Sequence, residues 1–373
     1  MPDKVRKLIY EMQYNFVFLH LVKIRTDMKP IDIQSIGRFV QLTGTACRPV
    51  IVTHAKPDGD AIGSCMAMYR FLTASGTCNA KIILNDGYPS YLDFLTEGID
   101  DIIIYDKAPH EATTCIKACD LIICMDFNAF HRTGSLEGLL ASSKAPKILI
   151  DHHLDPDTSL YTVAFSETQI SSASELLYYV LKAAQTANGK ATASDKETAL
   201  ALMTGMTTDT NNFNNSVYPS TLLMASELLD QGVDRDLILQ KINLEHSESR
   251  LRLKGHMLKD LLTITEDGVA FMILDRKTQR EYNMKEGDTE GFVNEPLSIA
   301  KVRMSIFARE ELKEIRISIR SKKGTSANRC AGLFFNGGGH ENAAGGKLNI
   351  PIGEVEEYIR KHTHLYMSEY EEN

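Results

Sequence analysis

The sequence predicts an α/β protein with two domains: a doubly wound parallel sheet first, then a smaller α/β domain with a mixed, mostly antiparallel sheet. Three observations carry this. From about residue 48, short β-branched apolar runs alternate with helical stretches, the pattern of a parallel sheet with helices on both faces. After Asp230 the texture becomes charged and helical in period, and the apolar runs that follow look like strands of a second sheet. The 373 residues also suffice for two domains of ordinary size.

The elements follow in order. "RPVIVTH" reads as a buried strand, and "DAIGSCMAMYRFLTASG" as a helix that Gly76 ends. "AKIIL", "DDIIIY", "CDLIICMDF" and "APKILIDHH" read as further strands, and "ETALALMTGMTTDT" as a later helix. In the second domain "GVAFMILD", "AKVRMSIFARE" and "EIRISIRSKK" read as strands, "ANRCAGLFF" as a helix, and "NGGGHENAAGGKL" follows it. The expected boundaries are an N-terminal extension over 1–27, a first domain over 28–230, a helical connector over 231–262 and a second domain over 263–373.

Composition narrows the function. Hydrophobic residues make up 43% and charged residues 24%, as in a globular chain. The formal net charge of -8 argues against a protein that coats long nucleic acid, where a basic face is expected. The seven cysteines are odd in number and form no C-x-x-C pair, so they read as small buried hydrophobes in a reducing cytoplasm. No run reaches the roughly 18 apolar residues of a membrane span. The N-terminal "FVFLHLV" lacks a small-residue cleavage site.

Ligands of a doubly wound sheet bind beyond the carboxyl ends of its strands. Acids and histidines collect at those ends. "VTHAKPDGDAIGS" carries His54, Asp58 and Asp60; "LIICMD" ends in Asp126; "ILIDHH" ends in Asp151, His152 and His153; the later helical segment delivers Asp209. An extended loop with Gly59 and Gly63 would let Asp58 and Asp60 share one site and let backbone pass close to metal or phosphate. A lone Asp is most often a cap or turn former, so Asp155, Asp157, Asp195 and Asp267 are left in that class, and His110, His131, His246 and His256 are taken as surface or core. Paired histidines beside four acids at neighbouring strand ends are harder to explain that way. Carboxylates with a few imidazoles suit manganese or magnesium. Gly337 to Gly339 could be a flexible turn, or a turn whose N–H groups form an anion-binding nest, with His340 adding a donor and Arg320, Lys322, Lys323 and Arg329 adding charge nearby.

Taken together, "HAKPDGDAIGS", "MDFNAFHRTG", "IDHHLDP", "TGMTTDT" and "GGGHENAAGG" resemble the DHH phosphoesterase superfamily. Size and layout are similar to its small two-domain branch of oligoribonucleases (nanoRNases) and pAp phosphatases with a GGGH-containing DHH-associated domain. The resemblance implies a hydrolase of phosphoester bonds with two divalent metal ions, most simply Mn2+, with Mg2+ or Co2+ as alternatives. It implies that His54 and Asp58 hold the first metal, Asp60 and His152 the second, and that Asp126 and Asp209 touch or bridge both. Asp151 would orient a histidine and His153 would face the phosphate as a donor; Arg132 would steady its loop or touch phosphate. Arg320, Ser321, Gly338, Gly339 and His340 would hold the terminal phosphate or sugar. The implied partners are short RNA or a nucleotide, with no membrane and no long nucleic acid, and a homodimer is compatible. Competing functions are a phosphodiesterase of cyclic dinucleotides or pApA, an inorganic exopolyphosphatase or pyrophosphatase, and a catalytically inactive nucleotide-binding regulator. Phe213 and Tyr218 are candidates for stacking on a base. Asn211 and Asn212 stand where relatives often have glycine, which leaves the shape of that loop open.

Overall fold

The computed structural model describes residues 31–77, 79–187, 195–244, 246–285 and 287–369. The extension expected over 1–27 lies outside them. The chain forms two compact units, the first reaching to Leu244 and the second following it. No helix among the described residues is long and apolar enough to cross a membrane.

In the first unit, β-branched runs form six parallel strands: β1 (Pro49–Val52), β2 (Lys81–Leu84), β3 (Ile102–Ile104), β4 (Leu121–Met125), β5 (Lys147–Asp151) and β6 (Val163–Ser166). Their order is β3-β2-β1-β4-β5-β6, all pairs parallel. The direction of winding reverses between β1 and β4, and a crevice opens at such a reversal beyond the carboxyl ends. Both faces are covered. Helices α1 (Ile33–Thr45), α2 (Gly59–Ala74), α5 (Ala173–Ala187) and α6 (Lys196–Asp209) bury Phe39, Met66, Leu177 and Met203 in one core with Ile51 and Ile123. Helices α3 (Pro109–Ala118) and α4 (Glu137–Ser142) bury Ile116 and Leu140 in the other, with Val50, Val52 and Ile122. A further helix, α7 (Pro219–Asp230), packs Met224 and Leu228 into the first core.

Helices α2 and α6 approach closely because of their glycines. A Cβ on Gly63 would lie 2.6 Å from the Ala201 carbonyl oxygen, and one on Gly59 would collide with the Thr208 side chain. This corrects the expectation that Gly59 and Gly63 clear space for metal or phosphate: they clear it for α6. Asp58 and Asp60 do not share an extended loop either. Asp58 caps α2, accepting from the Asp60 and Ala61 N–H groups, and Asp60 lies inside the first turn.

The second unit begins with α8 (Glu248–His256). Its sheet runs β11-β12-β10-β9-β8-β7, built from β7 (Thr263–Ile264), β8 (Val269–Leu274), β9 (Met304–Glu310), β10 (Ile315–Ser321), β11 (Gly338–His340) and β12 (Ala343–Leu348). Only the β8–β9 pair is parallel; the other pairs are antiparallel. On β10 burial alternates residue by residue, as in a strand with one face packed. Its inner residues pack with Ala331 of α9 (Ala327–Phe334) and Ile359 of α10 (Val355–Glu369). The strands β6, β7, β11 and β12 and the helix α1 were not foreseen. The first two are only four and two residues long, and β11 and β12 are rich in glycine.

Candidate metal centre and substrate face

The first unit gathers its acids and imidazoles at the reversal between β1 and β4. His54 follows β1, Asp126 follows β4, Asp151 ends β5 with His152 and His153 after it, and Asp209 ends α6. Asp126 sits between two imidazoles. Its Oδ2 lies 3.5 Å from His54 Nε2, and its Oδ1 lies 3.4 Å from His152 Nε2. Asp58 Oδ1 is 3.9 Å from His54 Nε2. Asp209 Oδ2 and Asp60 Oδ2 are 3.4 and 3.9 Å from His152 Nε2. The sequence-derived residues of this unit therefore meet in one place, as two donor groups that share Asp126.

Local structure explains how they are held. Asp126 adopts φ 61°, in the left-handed region that a residue other than glycine rarely occupies. Its N–H donates to the Ile150 carbonyl, 3.0 Å away, which ties the turn to the neighbouring strand. Asp60 accepts from the N–H groups of Ala173 (2.7 Å) and Ser174 (2.9 Å), at the start of α5. A helix start favours negative charge there. Sequence reasoning passed over this brace. The signal was present: Ser172-Ala173-Ser174-Glu175 has capping-box spacing, and buried Glu175 accepts from Ser171 N–H at 3.0 Å.

His153 Nδ1 lies 2.7 Å from Asp151 Oδ1, and Asp151 is fully buried. With a carboxylate as acceptor, Nδ1 carries the proton, and Nε2 becomes the atom that can meet a ligand. Arg132 offers its carbonyl oxygen to Ala55 N–H at 2.7 Å, so its loop is pinned to the residue after His54. Asn85 Oδ1 accepts from Ser135 N–H at 2.7 Å and steadies the same loop.

Charge in the cluster is unbalanced. Burial pushes the Asp126 carboxyl up, but His152 and His54 outweigh it and hold the group well below the usual carboxylate range. Burial followed by repulsion from Asp126 and Asp209 pushes Asp60 well above it. Burial lowers His152, yet Asp209, Asp126 and Asp60 carry it up to about 10. His153 is lowered, chiefly by burial. The neighbouring carboxylates thus favour a proton on the His152 ring, whereas burial disfavours one on His153. Asp126 Oδ1 is buried without a hydrogen-bond partner among the described residues, an orphan that native interiors seldom tolerate. Groups of His54, Asp58, Asp126 and of Asp60, Asp126, His152 each bring their ligand atoms within 4.8 Å of one another. Hard oxygens with a few imidazoles suit divalent cations such as manganese or magnesium, so the residues present fit such ions.

The loop after Asp209 is shaped by left-handed residues. Asn211, Asn212 and Phe213 have φ of 46°, 56° and 64°. Asparagine tolerates this region better than most residues, so Asn211 and Asn212 adopt the backbone that glycine would allow. Phe213 packs against the large core, with the Arg235 guanidinium 5.7 Å above its ring. Tyr218 precedes α7 and is partly exposed.

In the second unit, Arg320 and Ser321 end β10 and Gly338 to His340 form β11. The expectation of a glycine nest is corrected here. Gly337 N–H donates to the Ala331 carbonyl (3.2 Å) and Gly339 N–H to Asn328 Oδ1 (2.7 Å), so these donors are spent inside the unit. The glycines serve packing: a Cβ on Gly337 would strike the Gly345 carbonyl oxygen, and one on Gly339 would lie 2.5 Å from the Ala343 carbonyl oxygen. The Ser321 hydroxyl is also engaged, donating to the Thr325 carbonyl (2.6 Å) and accepting from Asn342 Nδ2 (3.0 Å). Arg320 lies on the other face of the strand. It stands opposite Ala343 on one side, which in turn pairs with His340, and opposite Ser305 on the other. Ser305 is fully buried and its hydroxyl has no partner among the described residues. Sequence reasoning missed it because the register of β9 on β10 is not visible in the chain.

Comparison with known proteins identifies the family. A model described as "DHH family, N-terminal domain" matches residues 48–206, and one described as "DHHA1 domain" matches residues 266–363. The bifunctional oligoribonuclease and PAP phosphatase NrnA of Thermus thermophilus is 30% identical over 80% of this chain and 83% of its own length. The protein of the same description from Bacillus subtilis is 24% identical over 80% and 88%. An exopolyphosphatase-related protein from Bacteroides fragilis superposes with a TM-score of 0.81 at 37% identity, covering 91% of this chain and 98% of that one. RecJ from Thermus thermophilus, solved with Mn2+, shares the fold with a TM-score of 0.56 at 13% identity, over 92% of this chain and 56% of that one. The chain belongs to the DHH family of phosphoesterases, a hydrolase in which a DHHA1 domain follows the DHH domain.

Proposed function

We propose that this enzyme hydrolyses short oligoribonucleotides from one end, and also pAp, with the help of two divalent cations, manganese first among them. The observation that carries the reading is the carboxylate of Asp126, whose Oδ2 faces His54 at 3.5 Å and whose Oδ1 faces His152 at 3.4 Å, with His153 Nδ1 3.6 Å from the same oxygen. A carboxylate so flanked supports a reading in which two ions share it. His54 and Asp58 would hold one, Asp60 and His152 the other, with Asp126 common to both and Asp209 beside the second. A pair of bound divalent cations supplies an activated water at neutral pH and charge stabilisation on the phosphoryl oxygens.

The chain's own groups do the rest. Asp151 orients His153, whose Nε2 then donates a proton to the phosphate or the leaving oxygen when the ring is protonated. Asp60, braced by the start of α5, keeps its oxygens fixed. Arg320 and His340 hold the terminal phosphate or sugar, with Ser321, Gly338 and Gly339 shaping the strand ends around them. The catalytic work falls to residues 28–230 and substrate holding to 263–373, joined by 231–262. The relatives described as oligoribonuclease and PAP phosphatase support the choice of substrate.

A comparison of initial rates on pAp, di- to pentaribonucleotides, pApA, cyclic di-AMP and pyrophosphate tests this, run with added manganese and again after chelation. Turnover of pAp and the short oligonucleotides that disappears with the metal is the expected result. Preference for cyclic di-AMP or pyrophosphate would overturn it.

A further inference from the structure

One face of the second sheet carries a feature that the reaction has not used. On β10, Ile315, Ile317 and Ile319 are buried in the core with α9 and α10, so Arg316, Ser318 and Arg320 lie on the opposite face. On β12, Ala344 and Leu348 join the same core, so Ala343, Gly345 and Lys347 lie opposite. Register then sets three rows: Arg320 with Ala343, Ser318 with Gly345, and Arg316 with Lys347. Between β10 and β12 the middle row has nothing larger than a hydroxymethyl group, and the buried Phe307 of β9 bounds it on the other side of Ser318. It forms a flat floor between two cationic ends. Arg316 lies four residues from Arg320 along the strand, about 14 Å at the rise of an antiparallel strand.

The far end gathers three cations. Arg316 stands opposite Lys347 on β12 and opposite Arg309 on β9. Like charges directly opposite each other destabilise a sheet. Arg309 is buried and held by Glu311, 2.6 Å away. Lys347 is different: its side chain is 58% exposed, and it approaches Glu314 only to 3.9 Å. A polyanion laid along the face would offset this repulsion.

We propose that Arg316 and Lys347 form a second phosphate subsite, which holds a backbone phosphate of an oligoribonucleotide whose end lies at the Arg320 row. This rests on the reading of the protein as a hydrolase of short RNA. The backbone between successive phosphorus atoms of RNA is too short to span about 14 Å. Reaching both ends therefore takes three or more nucleotides, and the subsite favours those substrates over dinucleotides and pAp.

The test uses the full chain with Lys347→Ala, Arg316→Ala and Arg316→Lys. Kinetics are followed on pAp and on 5′-phosphorylated oligoribonucleotides of two to five residues. For Lys347→Ala the KM on tetra- and pentanucleotides should rise about fivefold, the scale of one exposed charge-assisted contact. On pAp and the dinucleotide it should not change. Binding of a fluorescent pentanucleotide should lose about 0.7 from its log–log salt slope, the value for one phosphate contact to a single strand. Arg316→Lys should restore most of what Arg316→Ala loses. Equal losses on pAp and the pentanucleotide, or no change on the pentanucleotide, would overturn the subsite. Lys347 is exposed at its tip, so its variant carries the test if Arg316→Ala does not fold. A wild-type enzyme that turns over no ribonucleotide would instead overturn the proposed function, and the salt slope of binding would still decide the subsite.

Discussion

The two ends of the parallel sheet both carry aspartates, and they use them in opposite ways. At the amino end, Asp120 accepts from the N–H groups of Cys47 (2.8 Å) and Arg48 (2.9 Å), just before β1. Asp101, just before β3, accepts from Tyr69 and from Lys81, each at 2.5 Å. Both of these carboxylates find their donors within the protein. At the carboxyl end, Asp126, Asp60 and Asp209 crowd around His152, and Asp126 Oδ1 has no hydrogen bond among the described residues. Asp120 and Asp101 are satisfied as they stand. The carboxyl end is a buried excess of negative charge that calls for cations, and this difference in balance, rather than the residue type, separates a structural carboxylate from a functional one.

The contrast breaks most sharply at Asp126. Replacing it with Asn keeps the volume and removes the shared charge. Metal-dependent turnover should fall by more than about a hundredfold, beyond what losing an outer partner of a ligand costs. The metal-free protein should also lose stability at neutral pH, because His152 and His54 hold this carboxylate ionised in the fold and the neutral amide forfeits that attraction. Rates with manganese and a denaturant titration with chelator measure both. Full activity in this variant would refute the shared-carboxylate reading.

Asp151 gives the next largest effect. It lies within 4.8 Å of the Asp126 carboxylate and fixes the ring of His153 at 2.7 Å. Asp151→Asn should lower kcat by about 10–100-fold, the range for an outer partner that sets the orientation of a site histidine. KM should change much less. A loss confined to KM would mean that His153 holds substrate without taking part in proton transfer.

Asp120 should behave in the reverse manner. Asp120→Ala leaves two N–H groups at the start of β1 without their acceptor and should cost about 1 kcal/mol, since both are solvent-accessible. Turnover should stay at the wild-type level. Urea titration and a rate assay on the same sample distinguish the outcomes, and a loss of turnover without a loss of stability would erase the distinction between the two ends.

Much of this contrast was legible in the chain. The proposed ligands stand at the ends of apolar runs, and a parallel sheet delivers such ends to one edge. His54, Asp126, His152 and Asp209 could therefore be placed together from their positions alone. The glycines misled. Gly59 and Gly63 admit α6, and Gly337 and Gly339 admit β12; each looked like clearance for a ligand because a glycine does not say what approaches it. Register was equally hidden. Nothing in "EIRISIRSKK" shows that Arg316 will face Lys347 or that Arg320 will face Ser305, since pairing is decided by segments far apart in sequence.

The smallest effect lies in the pH dependence of the amino end. Burial pushes the Asp101 carboxyl up, but Lys81 and Tyr69 outweigh it and hold it below its ordinary value. A depressed carboxylate contributes stability that is present above the unfolded value of about 4 and lost as pH falls through the lower folded one. Tyr69 works on the alkaline side. Burial first, then Asp101, pushes its hydroxyl up to about 12. Its contribution is whole below the unfolded value of about 10 and fades as pH rises from there toward 12. The side chains of Lys81 and Asp101 are 34% and 32% exposed, so solvent screens the pair. Asp101→Asn should therefore cost only on the order of 0.5 kcal/mol between about pH 4 and 10. The difference from wild type should vanish in strong acid, where both side chains are neutral, and shrink above pH 10. Denaturant midpoints across the pH range measure this. Turnover at neutral pH should not move, because Asp101 spends its oxygens on Tyr69 and Lys81 at the end of the sheet away from the cluster.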